Sequence, residues 1–367
     1  MKNIGIIFSV ASMLFFQSCI KDNEDPVKVS PVEGAIVNEI AVGGASQPNQ
    51  VWIDLSDVDE NNQPKQTVTP RTKWDLGFYS GDEFKVILNY SALMAATKID
   101  GVTNIDAVTE SSVSALIDKV QVANFDPENT IYIDDVKGKY NTGYTTIAEV
   151  KANDAENGIY LVNMGREIYE GTIPAGSTIT GGDSRGWMKV QILTNGDGYK
   201  IKYAKLNETS HKEYIITKKE AHSFTFFSMI SNSEVEIQPE KSKWDISFTV
   251  FVNSIDGAGS YIYSDFVTHN ILGGVAAYQV TVPAGSNSNE FYNNFKSENI
   301  DTSKFSYDDH RTIGSSWRLL GPGGGSMYGD RFYVVRDSEG VYYKIKFIGF
   351  TNVGGERGHP QFEYKPL

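Results

Sequence analysis

Cysteine is nearly absent: the 367 residues hold one, Cys19. That excludes an intramolecular disulfide framework and any Cys-rich zinc or iron–sulfur site. Positive charge is also in deficit, with 33 Lys and Arg against 46 Asp and Glu and a net charge of -13. Nucleic acid is therefore excluded as a partner, because phosphate binding needs a basic footprint. Catalytic motifs are missing as well. The five histidines are His211, His222, His269, His310 and His359; no two stand four apart, and there is no HExxH and no GxSxG. The glycine run Gly321–Ser326 lacks the Gly-Lys-Ser/Thr ending of a phosphate loop. Asp57-Val58-Asp59-Glu60-Asn61 starts like a calcium loop, yet Asn62 replaces the required glycine and Val68 the closing glutamate. Carboxylates are plentiful but fall into no motif. The expectation is a protein that binds and does not catalyse, with no resident metal.

One apolar run stands out, and it is short. Lys2 precedes Ile4–Phe16, and Ser18-Cys19 follow. A positive start and thirteen mostly apolar residues describe a signal peptide, shorter than the roughly 20 residues a membrane span needs. The sole cysteine sits where bacterial lipoproteins are cut and lipidated, so residues 1–18 are expected to be removed and Cys19 to carry lipid. The acidic stretch that follows, Asp22 to Asp25, resembles the signal that sends some lipoproteins to the outer leaflet of the outer membrane. Residues 19–46 are expected to form a flexible tether.

The rest of the chain repeats itself. Arg71-Thr72-Lys73-Trp74-Asp75-Leu76-Gly77-Phe78 returns 170 residues later as Lys241-Ser242-Lys243-Trp244-Asp245-Ile246-Ser247-Phe248. Asn89 precedes Ala95-Ala96 at the spacing by which Asn270 precedes Ala276-Ala277. A turn-and-strand pattern, Asn195–Tyr203, is echoed by Asp337–Phe347. Three matches in one order indicate a duplication, with units expected at 47–218 and 219–367.

The local signals are those of strands. Tyr199, Ile201 and Tyr203 alternate with lysines, so they share a face. Phe248–Val252, Phe332–Val335 and Ile159–Val162 read as strands covered on both sides. In Trp-Asp-hydrophobic-X-Phe, the Trp, the hydrophobic residue and the Phe are expected on one buried face. Helix is sparse: one over Ala107–Val122, capped by Thr109 or Ser111, and a helical turn in 289–298. The fold class is therefore all-β with one or two short helices, arranged as two related β-units.

Several of these segments carry a resemblance. Trp74–Gly81 with Phe84–Asn89, Trp244–Phe251, Gly273–Tyr278, Ile313–Arg318, Phe332–Val335 and Gly355–Gly358 are similar to the HmuY-like lipoprotein family over roughly 47–367. The resemblance implies an all-β, surface-exposed lipoprotein of Gram-negative bacteria. The family's best-known members are haemophores. They take haem from host haemoproteins and pass it to a TonB-dependent outer-membrane receptor, holding the iron through paired His or paired Met side chains. No such pair aligns here. Met94 and His269 are the candidate axial ligands, each beside the duplicated Asn–Ala-Ala segment, although they occupy non-equivalent repeat positions; Met327, Met229 and His222 rank lower. The alternative is an interaction or structural lipoprotein of the same fold that binds another ligand, a glycan or a receptor without haem.

Overall fold

The structure, a computed structural model, describes residues 32–321 and 324–367. The signal segment and Cys19 lie outside the described residues, as does the start of the tether. From residue 32 onward the chain is folded. Val32, Val37, Ile40 and Val42 are buried in a core, so the expected tether is corrected to end before them. Apolar side chains at these positions pull the backbone onto the protein.

Strands β1 (Ala35–Val37), β2 (Asn49–Val58) and β3 (Pro64–Pro70) come first. β4 (Leu76–Tyr79), β5 (Val86–Leu88) and β6 (Ala95–Lys98) follow. Helix α1 (Glu110–Ile117) precedes β7 (Ile159–Asn163), β8 (Trp187–Asn195), β9 (Gly198–Lys205) and β10 (Lys212–Ile216). The second repeat supplies β11 (Phe224–Ser228), β12 (Ser233–Val235), β13 (Ile246–Ile255), β14 (Gly259–His269) and β15 (Ala276–Thr281). Helix α2 (Ser288–Asn294) leads to β16 (Arg318–Gly321), β17 (Gly324–Met327), β18 (Arg331–Arg336), β19 (Tyr342–Thr351) and β20 (Arg357–Pro366). Among the described residues the fold is β-rich and antiparallel, with two short α-helices. Thr109 caps α1, which ends at Ile117 and buries only Val113; a stripe that narrow supports two turns of helix.

The strands make two sandwiches. In the first, the sheet β10-β9-β8-β7-β6 faces the sheet β12-β11-β4-β5. Leu76, Phe78, Val190, Ile201, Tyr203 and Phe227 fill the space between them. In the second, β1-β20-β19-β18-β15 faces β14-β13-β2-β3, around Val51, Ile53, Phe248, Ile345 and Phe362. A fully buried side chain of this kind stabilises by roughly 1.5–3 kcal/mol.

The packing does not follow the 218/219 division. β2, from the first repeat, pairs with β13 of the second, Ile53 opposite Ile246. β11, from the second repeat, pairs with β4 of the first, Phe227 opposite Leu76. Each repeat thus lends its first hairpin to the other repeat's sandwich. The first unit is built from β4–β12, and the second from β1–β3 with β13–β20.

The Trp-Asp motifs bend where extended chain was expected. Leu76 and Phe78 enter the first unit's core, but Trp74 joins a separate central cluster with Trp52, Phe226 and Trp244. The physical reason is a carboxamide clamp. Asn89 Nδ2 donates to the carbonyls of Arg71 and Trp74, both at 2.7 Å, and folds that segment into a turn before the strand starts. Asn270 does the same to Lys241 and Trp244 at 2.8 and 2.9 Å. The two units meet through this cluster: Trp74 Nε1 donates to Gln50 Oε1 of β2 at 2.8 Å, and the Tyr90 ring lies 5.2 Å from that of Phe251 on β13.

Candidate ligand-binding site

The clamps place the two residues singled out in the sequence. After Asn89 a short turn of 3₁₀ helix ends at Leu93, whose φ is 67°, and Met94 N donates back to Asn89 O at 3.3 Å. After Asn270 the equivalent turn ends at Gly274, with φ 87°, and Val275 N returns to Asn270 O at 3.0 Å. Met94 therefore corresponds to Val275, and its side chain is buried in the first unit's core.

His269 ends β14 and lines a cavity of about 30 Å³ with Trp74, Tyr90, Tyr140, Trp244 and His310. That space holds about one water. Met94 lines a different cavity of about 10 Å³, which shares Tyr90 and Tyr140 with the first. The structure does not bring Met94 and His269 into one cavity, and neither cavity has room for a porphyrin. Of the lower-ranked residues, Met229 is buried in the first unit's core and Met327 packs against the second's. His222 is half-buried, and its Nδ1 has no hydrogen-bond partner.

Nothing in the spacing of the histidines pairs His269 with His310, yet they are neighbours. The His269 amide donates to the His310 carbonyl at 3.1 Å. His269 Nε2 donates to Ser306 O at 3.2 Å and His310 Nε2 to Val136 O at 3.1 Å; a carbonyl partner assigns the proton to Nε2 in both. Burial pushes His269 down to about 4 and His310 to about 3, the latter aided by His269 beside it. Both are neutral imidazoles at neutral pH. His269 Nδ1 is left buried without a partner. Among the described residues, no three His, Cys, Asp or Glu side chains cluster to hold a metal ion.

Space for a sizeable ligand lies elsewhere. One open cleft, of about 600 Å³, is lined by Thr72, Tyr169 and the acidic Glu167, Glu170 and Asp183. A second, of about 590 Å³, runs between β14 and the β16–β17 hairpin. Its walls are Tyr261, Ile262, Tyr263, Leu319 and Leu320, and its charged lining residues are Arg318 and Arg357. Both volumes fall in the roughly 300–1,000 Å³ range of ligand pockets. Sequence reasoning missed the arginines because no spacing links them; their meeting is a product of the fold.

Two solved structures are similar to parts of the chain. One is an HmuY analog of Tannerella forsythia in its apo form, at 18% identity and a TM-score of 0.20, covering 43% of this chain and 84% of its own. The other is described as a lipoprotein of Bacteroides fragilis, at 14% identity and a TM-score of 0.20, covering 32% of this chain and 76% of its own. No curated protein matches the chain. The HmuY protein family matches twice in succession, over residues 46–223 and 220–364. With nearly all of the described residues inside those two matches, the chain belongs to the HmuY family.

Proposed function

We propose that this protein is a lipid-anchored, surface-exposed carrier that binds haem or a related tetrapyrrole. It hands the ligand to a TonB-dependent outer-membrane transporter and catalyses no reaction. The observation that carries the reading is the double HmuY match over 46–223 and 220–364. The lipoprotein-type start, with Cys19 after a short apolar run, supports attachment to the outer membrane facing outward. Twenty tyrosines and 19 phenylalanines give the fold aromatic faces of the kind porphyrins stack on.

In this reading affinity comes from apolar contact and from charge on the ligand's acidic groups, with or without iron ligation. Met94 and His269 remain the axial candidates. His269 is chemically competent, since it is neutral and its Nδ1 has no partner, but both side chains are buried, so ligation there requires their cavities to open.

Haemin added to the purified soluble domain tests the proposal. A shifted, sharpened Soret band that saturates is expected; unchanged free-haemin absorbance rejects it. Met94→Ala and His269→Ala report ligation, because loss of a ligand moves the Soret and Q bands. Cys19→Ser is expected to release the protein from membranes.

A further inference from the structure

The second open cleft has a built floor. β13 and β14 pair with Thr249 opposite Phe266 and Phe251 opposite Tyr263. Ser264 and Asp265 together therefore face Val250 alone, a β-bulge with Asp265 at φ 48°. The bulge turns Ser264 and Asp265 toward the two arginines. Arg357 Nη2 donates to the Asp265 carboxylate and to Ser264 Oγ, the latter at 3.0 Å. Arg318 Nη2 donates to Ser264 O, and its Nε lies 3.5 Å from Asp265 Oδ2. Gln47 completes the floor by donating to Asp265 Oδ1 and accepting from the Asp265 amide.

This arrangement is left unbalanced. Two guanidinium groups share one carboxylate, and all three side chains are buried: 7% exposed for Arg318, 5% for Arg357 and 2% for Asp265. The Nε of each arginine is buried with no hydrogen bond, and among the described residues the Nη1 of each makes none. Burial and the neighbouring Arg357 both hold Arg318 below its ordinary value, against the pull of Asp265. The rest of the cleft lining is uncharged. In a chain of net charge -13, a desolvated excess positive charge at the base of an open cleft is a recognition element for an anion.

The walls specify the remainder of the ligand. Leu319 and Leu320 are exposed on a two-stranded hairpin that pairs with no other sheet. Tyr261 and Tyr263 stand opposite, ring to ring at 5.2 Å. We propose that this cleft binds an apolar carboxylic acid, its carboxylate on Arg318 and Arg357 and its body between the tyrosines and the β16–β17 hairpin. No His, Met or Cys lines the cleft, so binding there needs no metal. That the acid is a tetrapyrrole rests on the proposed function; the carboxylate site does not.

The test uses the soluble chain and two fluorescent probes that share one apolar body and differ in head group, pyrenebutyrate with a carboxylate and pyrenebutanol with an uncharged hydroxyl. The acid is expected to bind at least about tenfold more tightly than the alcohol, as a charge-assisted hydrogen bond predicts. Arg318→Gln and Arg357→Gln are expected to erase that preference. Leu320→Glu, on the exposed hairpin, is expected to weaken both probes by removing apolar wall, and the acid about tenfold more than the alcohol by like charge, with the fold unchanged. Equal affinity for the two probes, no binding of either, or indifference to Leu320→Glu overturns the inference. Protoporphyrin IX and its dimethyl ester are measured alongside. If pyrenebutyrate binds as stated but no tetrapyrrole does, the cleft stands and the haem reading falls. If tetrapyrroles bind regardless of esterification and of all three variants, the haem reading stands and the cleft falls.

Discussion

The two units share a plan and differ in charge. Near the first unit the open cleft is lined by Glu167, Glu170 and Asp183; in the second it is floored by Arg318 and Arg357. The contrast extends to the motif they inherited together. Asp75 Oδ2 accepts from Met229 N at 2.7 Å, and Asp245 Oδ2 accepts from Leu55 N at 2.8 Å. Asp75 also pairs with Arg185 at 2.7 Å. Among the described residues no cation lies within ion-pair distance of Asp245; burial first, and then Asp54, Asp337 and Glu339, push its carboxyl well above the usual range. Duplication kept the backbone clamps, while the charged side chains around them diverged. An anionic ligand is repelled by one cleft and drawn to the other.

The largest effect is expected from cutting the chain between 218 and 219. Each fragment then lacks the hairpin its sandwich borrows, β11–β12 for the first unit and β2–β3 for the second. Neither is expected to show native near-ultraviolet circular dichroism alone, and mixing them is expected to restore it. Independent folding of both fragments would break the interlocked account.

Arg185→Ala comes next, because it strands the buried Asp75 carboxylate. A loss of about 3–5 kcal/mol is expected in urea unfolding. Asp245→Asn is expected to stay within about 1 kcal/mol, since burial already disfavours the charged form that the isostere removes. Equal costs at the two positions would erase the contrast between the units.

Acid supplies the third test. His269 and His310 are held neutral in the fold below their ordinary value, so the unfolded chain takes up protons first as pH falls. Stability is expected to be intact above about 6.5 and to decline toward 3–4, by roughly 3 kcal/mol for His269 alone. Asp245 acts in the opposite sense: its raised folded value stabilises at low pH, and that contribution is lost as pH rises through it. His269→Gln should flatten the acid limb and Asp245→Asn the opposing slope, both read from urea midpoints against pH. A smaller effect than that of Arg185→Ala is expected at the clamp turn. Gly274→Ala is expected to cost about 1–2 kcal/mol through its positive φ alone, since no atom lies within 4 Å of the added carbon.

Much of the β framework was legible because its signals are local. Period-two runs such as Tyr199–Tyr203 and covered runs such as Ile159–Val162 became strands within a residue or two of the expected bounds. The exchange of hairpins was not legible, since β2 and β11 satisfy the same pattern whichever Trp-Asp strand they join. The bend at Trp74 was hidden for a related reason: it depends on Asn89, whose clamp the repeat showed only as a conserved spacing within the chain. The arginine floor was beyond reach. Arg357 and Asp265 are 92 residues apart, and a bulge, which has no signature in side-chain alternation, brings them together.

A duplicated carrier with one positively charged receptacle holds one haemin, and counting the haemin molecules bound per chain decides whether it does. Spectral titration of the soluble domain is predicted to saturate at about one haemin per chain, with Arg318→Gln and Arg357→Gln each weakening binding roughly tenfold. Saturation at two per chain, or no spectral change at any ratio, would contradict the account.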